Sequence, residues 1–258
     1  INGITFGGVG AGTTVDHIEV AFNLDDGVEF FGGTVNVKYL SVLFCGDDAI
    51  DTDQGYQGTI QYGYVMLDEN SHHGAEMDGP NTADASIALR SYPQLFNIHF
   101  VGHLNNAVNS VSSDDDLPAI IRVREGTGGY FANMIVTNIG SAGVLHTACG
   151  GELFSQDSQG TQDLDTLYFS DSNIVYTASG NGVQFDKTAA TCSTKDDFTA
   201  GNVDPQLIMM VGNPSSQTTF MDPRPIPGGN AFNDVEAVPS WNTFAEDTDF
   251  RGAFGTDL

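Results

Sequence analysis

The feature of this sequence that most constrains its fold is a degenerate repeat of short β-rich runs. Apolar and polar residues alternate within each run, and Gly, Asn and Asp separate one run from the next. The first three runs begin at Thr14, Thr34 and Thr59, which are 20 and then 25 residues apart, and the later spacing is longer. The runs cover residues 14–20, 34–42, 59–67, 95–101, 131–136 and 167–176.

This period indicates a solenoid. A repeat of about 20 to 25 residues with two or three short strands forms one coil of a parallel β-helix, and a coil buries its core only by stacking on its neighbours. We therefore predict an all-β fold, a right-handed parallel β-helix. The longer gaps at 68–92 and 142–164 are interpreted as loop insertions at a corner. The alternative is a β-sandwich, whose strands would recur roughly every 8 to 12 residues without similarity between coils.

The composition changes near residue 211, where Pro, Gly and Asn become frequent. We predict β-helix coils over residues 1–210 and an irregular C-terminal segment, 211–258, that packs on the solenoid and covers its last coil. Aromatic residues for this cover are present at Phe250 and Phe254. The chain has no apolar run of about 18 residues, so we expect no direct insertion into a membrane.

Charge limits the partners of this chain. Asp and Glu number 34 against 8 Lys and Arg, which gives a formal net charge of -26. Such a surface repels phosphate backbones and anionic headgroups, so we exclude nucleic acid as a partner. Cations are the expected partners instead.

The three cysteines differ in their surroundings. Cys45 follows an apolar run and is expected to be a buried thiol. Cys149 and Cys192 lie in short polar segments, so we predict a disulfide between them, as is typical of extracellular proteins. We recognise no CxxC pair or Cys/His spacing of the kind that holds zinc.

A second repeat lies between the runs, at 26–32, 48–54 and 74–79. Its alignment superposes Glu29, Asp51 and Glu76, and in a parallel stack such residues are about 4.8 Å apart. Repulsion between carboxylates at that distance is on the order of 3 kcal/mol per pair, which favours a bound proton or cation. We predict an acidic ladder that binds Ca²⁺ through oxygen ligands. Its predicted ligands are Asp26, Glu29, Asp48, Asp51, Asp53, Glu76 and Asp78.

The alternative interpretation of the acidic ladder is a solvated edge of the solenoid that binds no ligand. Asp side chains frequently cap turns by accepting hydrogen bonds from nearby backbone N–H groups, and this role needs no cation. The aromatic residues have a similar pair of interpretations: rings stacked in the core, which we expect, or a platform for sugars. They are Phe30, Phe31, Tyr56, Tyr62, Tyr64, Tyr92 and Tyr130.

Five motifs give the chain a resemblance to a known group of proteins. They are INGITFGGVG at 1–10, EFFGGTVN at 29–36, DTDQGY at 51–56, DPRP at 222–225 and RGAFG at 251–255. With these motifs the chain resembles uncharacterised secreted or surface-anchored right-handed parallel β-helix proteins of marine and other environmental bacteria. The resemblance implies the fold and an extracellular or cell-surface location, and it implies that both termini are clipped. It carries no established activity.

Two functions follow from these observations. The first is an extracellular structural or binding module, stabilised by Ca²⁺, with glycans or other copies of itself as partners. The alternative is a hydrolase or lyase acting on acidic polysaccharides through Asp47, Asp48 and Asp51. The segment GDDAI at 46–50 resembles the paired-aspartate segment of polygalacturonases, but that family's Gly-His-Gly and Arg-x-Lys motifs are absent.

Overall fold

The computed structural model describes residues 1–79, 89–103, 118–157, 159–178, 182–187, 192, 198–209 and 222–256. Eighteen strands and one 3-10 turn are assigned in these residues. No helix in the described part of the chain is long and apolar enough to cross a membrane.

One sheet of the solenoid has seven parallel strands, each from a different coil. In spatial order they are β1 (Ile4–Gly7), β3 (Val28–Phe31), β5 (Ile50–Asp53), β7 (Ala75–Asp78), β9 (Ala119–Arg124), β12 (Ala142–His146) and β16 (Val183–Lys187).

The other side of the solenoid is a nine-stranded parallel sheet. Its strands are β2 (Asp16–Ala21), β4 (Val37–Leu43), β6 (Thr59–Met66), β8 (Gln94–Val101), β10 (Gly129–Ala132), β11 (Ile135–Thr137), β13 (Leu153–Ser155), β14 (Thr166–Phe169) and β15 (Ile174–Val175). All six runs of the first repeat form strands of this sheet. The second repeat forms β3, β5 and β7 of the seven-stranded sheet.

The parallel β-helix predicted from the repeat is therefore confirmed, and the β-sandwich is wrong. A sandwich is built from antiparallel sheets, whereas every strand pair in these two sheets is parallel. Residues of one coil pair with residues of the next at nearly constant register. This regular stacking determines which side chains become neighbours on the outer surface.

A left-handed backbone bend recurs at one position of successive coils. His17, Tyr39, Tyr62, Asn97 and Asn133 all have positive φ, between 52° and 61°. The bend interrupts β2, β4, β6 and β8 and separates β10 from β11. Non-glycine residues adopt this conformation at a cost, and Asn tolerates it best. Each coil thereby turns within the nine-stranded sheet.

The core follows the alternation of the strands. On β3 the side chains of Val28 and Phe30 point inward and are buried, while Glu29 lies on the opposite face. Because Val28 pairs with Ile50 on β5, inward apolar residues stack on one another from coil to coil. The outward residues stack in the same way, which creates the acidic ladder.

One of the two predicted loop insertions is wrong over part of its length. The gap at 142–164 contains β12, which pairs with both β9 and β16, and β13. Small residues such as Ala142 and Gly143 obscure the strand pattern of β12, although its side chains are buried. In the gap at 68–92, β7 occupies 75–78, and residues 80–88 lie outside the described chain.

The C-terminal segment lies along the side of the solenoid. Its strand β18 (Asp222–Pro225) pairs antiparallel with β17 (Leu207–Met209), and the 3-10 turn Asn230–Phe232 follows. Farther along, Glu236 accepts a hydrogen bond from Tyr168 at 2.7 Å, and Trp241 packs edge-on against Tyr130. Contacts of this kind reach from β6 to β14, so the segment covers the outer face of the nine-stranded sheet. The predicted boundary at 210 and 211 lies outside the described residues.

Candidate cation site

The acidic ladder stands on the outer face of the seven-stranded sheet. Glu29 on β3 pairs with Asp51 on β5, and Asp51 pairs with Glu76 on β7. Phe31 pairs with Asp53 in the same register. The superposition of these residues, expected from the second repeat, is confirmed. The predicted role of their carboxylates as cation ligands remains a prediction.

At the corner that precedes these strands, two ladder members cap backbone amides of the next coil. Oδ1 of Asp26 accepts a hydrogen bond from the backbone N–H of Asp48 at 3.2 Å. Oδ1 of Asp48 accepts one from the backbone N–H of His73 at 2.8 Å, and the His73 ring nitrogen Nδ1 is also 2.8 Å away. The turn-capping alternative therefore describes part of the function of these two aspartates. All three residues are nevertheless buried and not solvated.

Two arginines of β9 neutralise the end of the ladder that contains Glu76 and Asp78. Arg122 pairs in register with Glu76, and its Nη1 lies 2.9 Å from Glu76 Oε1. Arg124 reaches Glu76 Oε2 at 3.0 Å and donates from Nε to Asp78 Oδ1 at 2.6 Å. In the sequence, Arg122-Val123-Arg124 is a basic pair of the kind that binds an anionic sugar. The structure shows that its guanidinium groups compensate the carboxylates of Glu76 and Asp78.

At the other end of the ladder, no arginine of the described residues compensates the carboxylates. Asp26, Glu29 and Asp51 bring ligand oxygens within 4.8 Å of one another, and we call these three residues the acidic cluster. Within the described chain, no Lys, Arg or His forms an ion pair with any of them. Asn2 donates its amide N–H to Glu29, and Oδ1 of Asp51 is buried without a hydrogen-bond partner.

Electrostatics distinguish this site from an ordinary acidic surface. Burial, reinforced by the charge of Asp48, raises the pKa of Asp26 to about 7. Burial and the charges of Asp78 and Glu76 raise the pKa of Asp51 to about 11. Burial is also the main cause that raises the pKa of Glu76 to about 8. Carboxyl groups in this state hold protons at neutral pH unless a cation replaces them.

Two predicted ligands stand apart from the acidic cluster. Asp53 accepts a hydrogen bond from the backbone N–H of Gln54 at 2.5 Å, and Asp78 is held by Arg124. Neither belongs to any group of three ligand atoms found close together among the described residues. Asp48 forms a separate group with His73 and Glu76. The structure thus divides the seven predicted ligands: three of them form the all-oxygen acidic cluster, and Asp26 also belongs to a second all-oxygen group with Asp25 and Asp47.

The aspartates proposed for polysaccharide cleavage already have partners within the protein. Asp47 Oδ1 lies 2.6 Å from Nδ1 of His72, and Asp48 contacts His73. Asp51 lies within the acidic cluster. The sequence around these histidines is typical of an exposed polar loop, but the side chain of His73 is only 1% exposed.

The aromatic residues divide between core and surface. Phe30, Tyr56, Tyr92 and Tyr130 are buried, as expected for rings stacked in or against the solenoid. The surface rings line a groove of about 770 Å³ between the nine-stranded sheet and the C-terminal segment. Its aromatic lining comprises His17, Tyr39, Tyr62, Tyr64, Phe250 and Phe254.

Together, the stacked coils and the outer ladder define a parallel β-helix protein with a buried acidic site on one sheet. A family model described as a pectate-lyase-like β-helix domain matches residues 1–206, and the chain belongs to that family. No curated protein and no solved structure shows a significant match to the chain. The resemblance to β-helix proteins is confirmed at the level of the family; the secreted and marine character remains a prediction.

Proposed function

We propose that this chain is an extracellular or cell-surface binding module whose β-helix is stabilised by Ca²⁺ bound at the acidic cluster. The observation that carries the proposal is the convergence of three buried carboxylates that no cationic side chain of the described residues compensates. Glycans or further copies of the chain are the proposed partners. The groove lined by Tyr39 and Tyr62 is a surface on which a glycan can bind.

The acidic cluster fits calcium in ligand type and spacing. Calcium binds oxygen atoms at about 2.3 to 2.6 Å, so two of its ligands are separated by up to about 5 Å. The ligand oxygens of Asp26, Glu29 and Asp51 lie within 4.8 Å of one another. The group of Asp48, His73 and Glu76 fits calcium less well, because it includes an imidazole nitrogen and Glu76 is already paired with guanidinium groups.

The proposed location rests on two properties of the chain. A net charge of -26 keeps a protein soluble where salt screens its self-repulsion. Cys149 and Cys192 are joined in a disulfide with their Cα atoms 5.5 Å apart. Disulfides persist in oxidising environments such as the cell exterior. Measuring protease accessibility on intact producing cells would test this location.

The cation is tested by Asp51→Asn. At neutral pH the raised pKa keeps Asp51 protonated in the absence of a cation, and asparagine has the shape of that protonated form. In a chelator we expect the variant to be at least as stable as the wild type, because it folds without taking up the proton that Asp51 requires, but we expect it to lose the stabilisation that calcium gives. That stabilisation is about 2.7 kcal/mol at a calcium concentration 100 times Kd. Thermal unfolding with chelator and with calcium measures both quantities.

The matched control is Asp171→Asn, which removes an exposed carboxylate far from the ladder. It should respond to calcium like the wild type. If calcium does not change the unfolding temperature of the wild type, the proposed cation binding is wrong. An equal calcium response in wild type and Asp51→Asn would place the cation elsewhere.

Polysaccharide cleavage is the second candidate function, and the match to a pectate-lyase-like domain favours it. The side chain of Arg124 is 26% exposed beside Asp78, which offers an accessible positive charge to an acidic sugar. On this hypothesis, wild-type protein releases oligosaccharides from an acidic glycan and Asp48→Asn does not. Mass spectrometry of a panel of uronic acid polymers decides the question, and absence of products from the wild type would contradict it.

A further inference from the structure

The loop after β12 gathers a set of side chains unrelated to the acidic ladder. His146 ends β12, Cys149 and Glu152 follow at intervals of three residues, and the disulfide brings Cys192 to the same place. Nε2 of His146 lies 3.2 Å from Sγ of Cys149 and contacts Oε1 of Glu152. The ligand atoms of His146 and the two cysteines all lie within 4.8 Å of one another.

We infer that these four residues form a zinc site when the disulfide is reduced. Zinc takes tetrahedral sets of thiolate, imidazole and carboxylate ligands, with ligand atoms about 3.3 to 3.8 Å apart. The spacing between Nε2 and Sγ in the oxidised protein is already close to that range. A His-x₂-Cys pair contributed by one loop, with a distant cysteine, is a common arrangement for such ligands.

The surroundings of the site suit a bound metal. The side chains of His146 and Glu152 are each 1% exposed, and the backbone N–H of Gly150 donates to Oε2 of Glu152 at 2.8 Å, which orients that carboxylate. The ring of Phe198 lies 6.4 Å from the ring of His146 and is buried. Two of the four ligands, His146 and Glu152, are therefore buried and in contact before any metal arrives.

The change between the two states balances chemically. A thiol reductant cleaves the bond between Cys149 and Cys192, giving two thiols while the reductant forms its own disulfide. Zinc then binds both sulfurs as thiolates and releases their two protons. A small-molecule disulfide accepts two electrons from the thiolates and is reduced to two thiolates of its own, which restores the protein disulfide and releases Zn²⁺. The cluster thus has an oxidised structural state and a reduced metal-binding state.

The test measures metal in reduced protein. The protein is reduced with a phosphine under argon, incubated with zinc, desalted and analysed by atomic emission. We expect about one zinc per chain in the wild type and in the control Cys45→Ser, which removes a buried thiol outside the cluster. Cys192→Ser should retain none. Glu152→Gln should bind zinc about 10- to 100-fold more weakly.

Cobalt substitution provides a second measurement. Reduced wild type should show thiolate-to-cobalt charge-transfer absorption, which His146→Ala should shift or lose. Circular dichroism of the oxidised His146→Ala protein shows whether the variant folds. Asp51→Asn should keep its zinc, which separates this site from the proposed calcium site. Reduced wild type without zinc, or Cys192→Ser with undiminished zinc, would overturn the inference.

Discussion

Arg122→Met is expected to lower the free energy of unfolding by about 3 kcal/mol. The guanidinium of Arg122 is 4% exposed and lies 2.9 Å from Glu76 Oε1. Methionine retains most of the side-chain stem but removes the charge, so Glu76 keeps the guanidinium of Arg124 and the ring nitrogen of His73, 4.0 Å away, as neighbours. A buried carboxylate that loses a partner pays its desolvation cost without full compensation. Urea unfolding at pH 9, above the raised pKa of Glu76, measures the loss by circular dichroism.

Two further variants give this prediction its controls. Arg224→Met removes a guanidinium whose 28% exposed side chain pairs with Asp222 near the surface, so its loss should be much smaller. The double variant Arg122→Met with Glu76→Gln should recover part of the lost stability, because it leaves no unpaired charge at that position. Equal losses for Arg122→Met and Arg224→Met would show that burial of the Glu76 pair has no energetic consequence.

In the presence of a chelator, stability is expected to fall by a few kcal/mol between pH 6.5 and pH 8. Burial raises the folded pKa of Asp26 to about 7, of Glu76 to about 8 and of Asp51 to about 11. In this interval the unfolded chain has already released these protons, while the folded chain still holds some of them. The folded state binds more protons, so stability decreases as pH rises, by up to about 1.4 kcal/mol per unit and group.

The lower limit of this interval is set by another buried group. Burial lowers the pKa of His99 to about 3, so below pH 6.5 the unfolded chain binds a proton there that the folded chain does not. This protonation makes stability rise with pH, so it would mask the fall in stability that the carboxyl groups cause. The effect declines above pH 6.5, the ordinary pKa of histidine, and is small by about pH 7.5. Urea unfolding at several pH values with chelator gives the slope.

Calcium should reduce or reverse the fall of stability with rising pH. A cation at the acidic cluster replaces the protons of Asp26 and Asp51, so its affinity increases as pH rises. The same titration in excess calcium is therefore expected to show stability that stays constant or increases toward pH 8. Stability that increases with pH in chelator would contradict the raised carboxyl pKa values. Identical slopes with and without calcium would contradict cation binding.

The register of the acidic ladder could be predicted from sequence because it follows from the repeat. Glu29, Asp51 and Glu76 occupy equivalent positions of segments with the same pattern, and parallel stacking converts equivalence into adjacency. The charge partner of Glu76 could not be predicted in this way. Arg122 lies 46 residues farther along the chain, in a strand that the repeat search did not detect.

The Cys149 cluster shows a different limit. The His-x₂-Cys spacing at 146–149 is present in the sequence, but by itself it is neither a CxxC pair nor a complete Cys/His motif and does not indicate a metal site. Glu152 and Cys192 become neighbours of this pair only after folding. Sequence spacing can identify two of the four side chains, whereas the other two are brought to the site only by the tertiary structure.

The sequence by itself determined the β-helix, because a periodic alternation of apolar and polar residues buries its apolar face only in stacked coils. It also determined that carboxylates stack along one sheet. Tertiary structure alone decided which of them are compensated: β9 places two arginines against Glu76 and Asp78 and leaves Asp26, Glu29 and Asp51 without a cation. The physical reason is that compensation depends on distances of a few ångströms between residues far apart in the chain, which a local pattern does not encode.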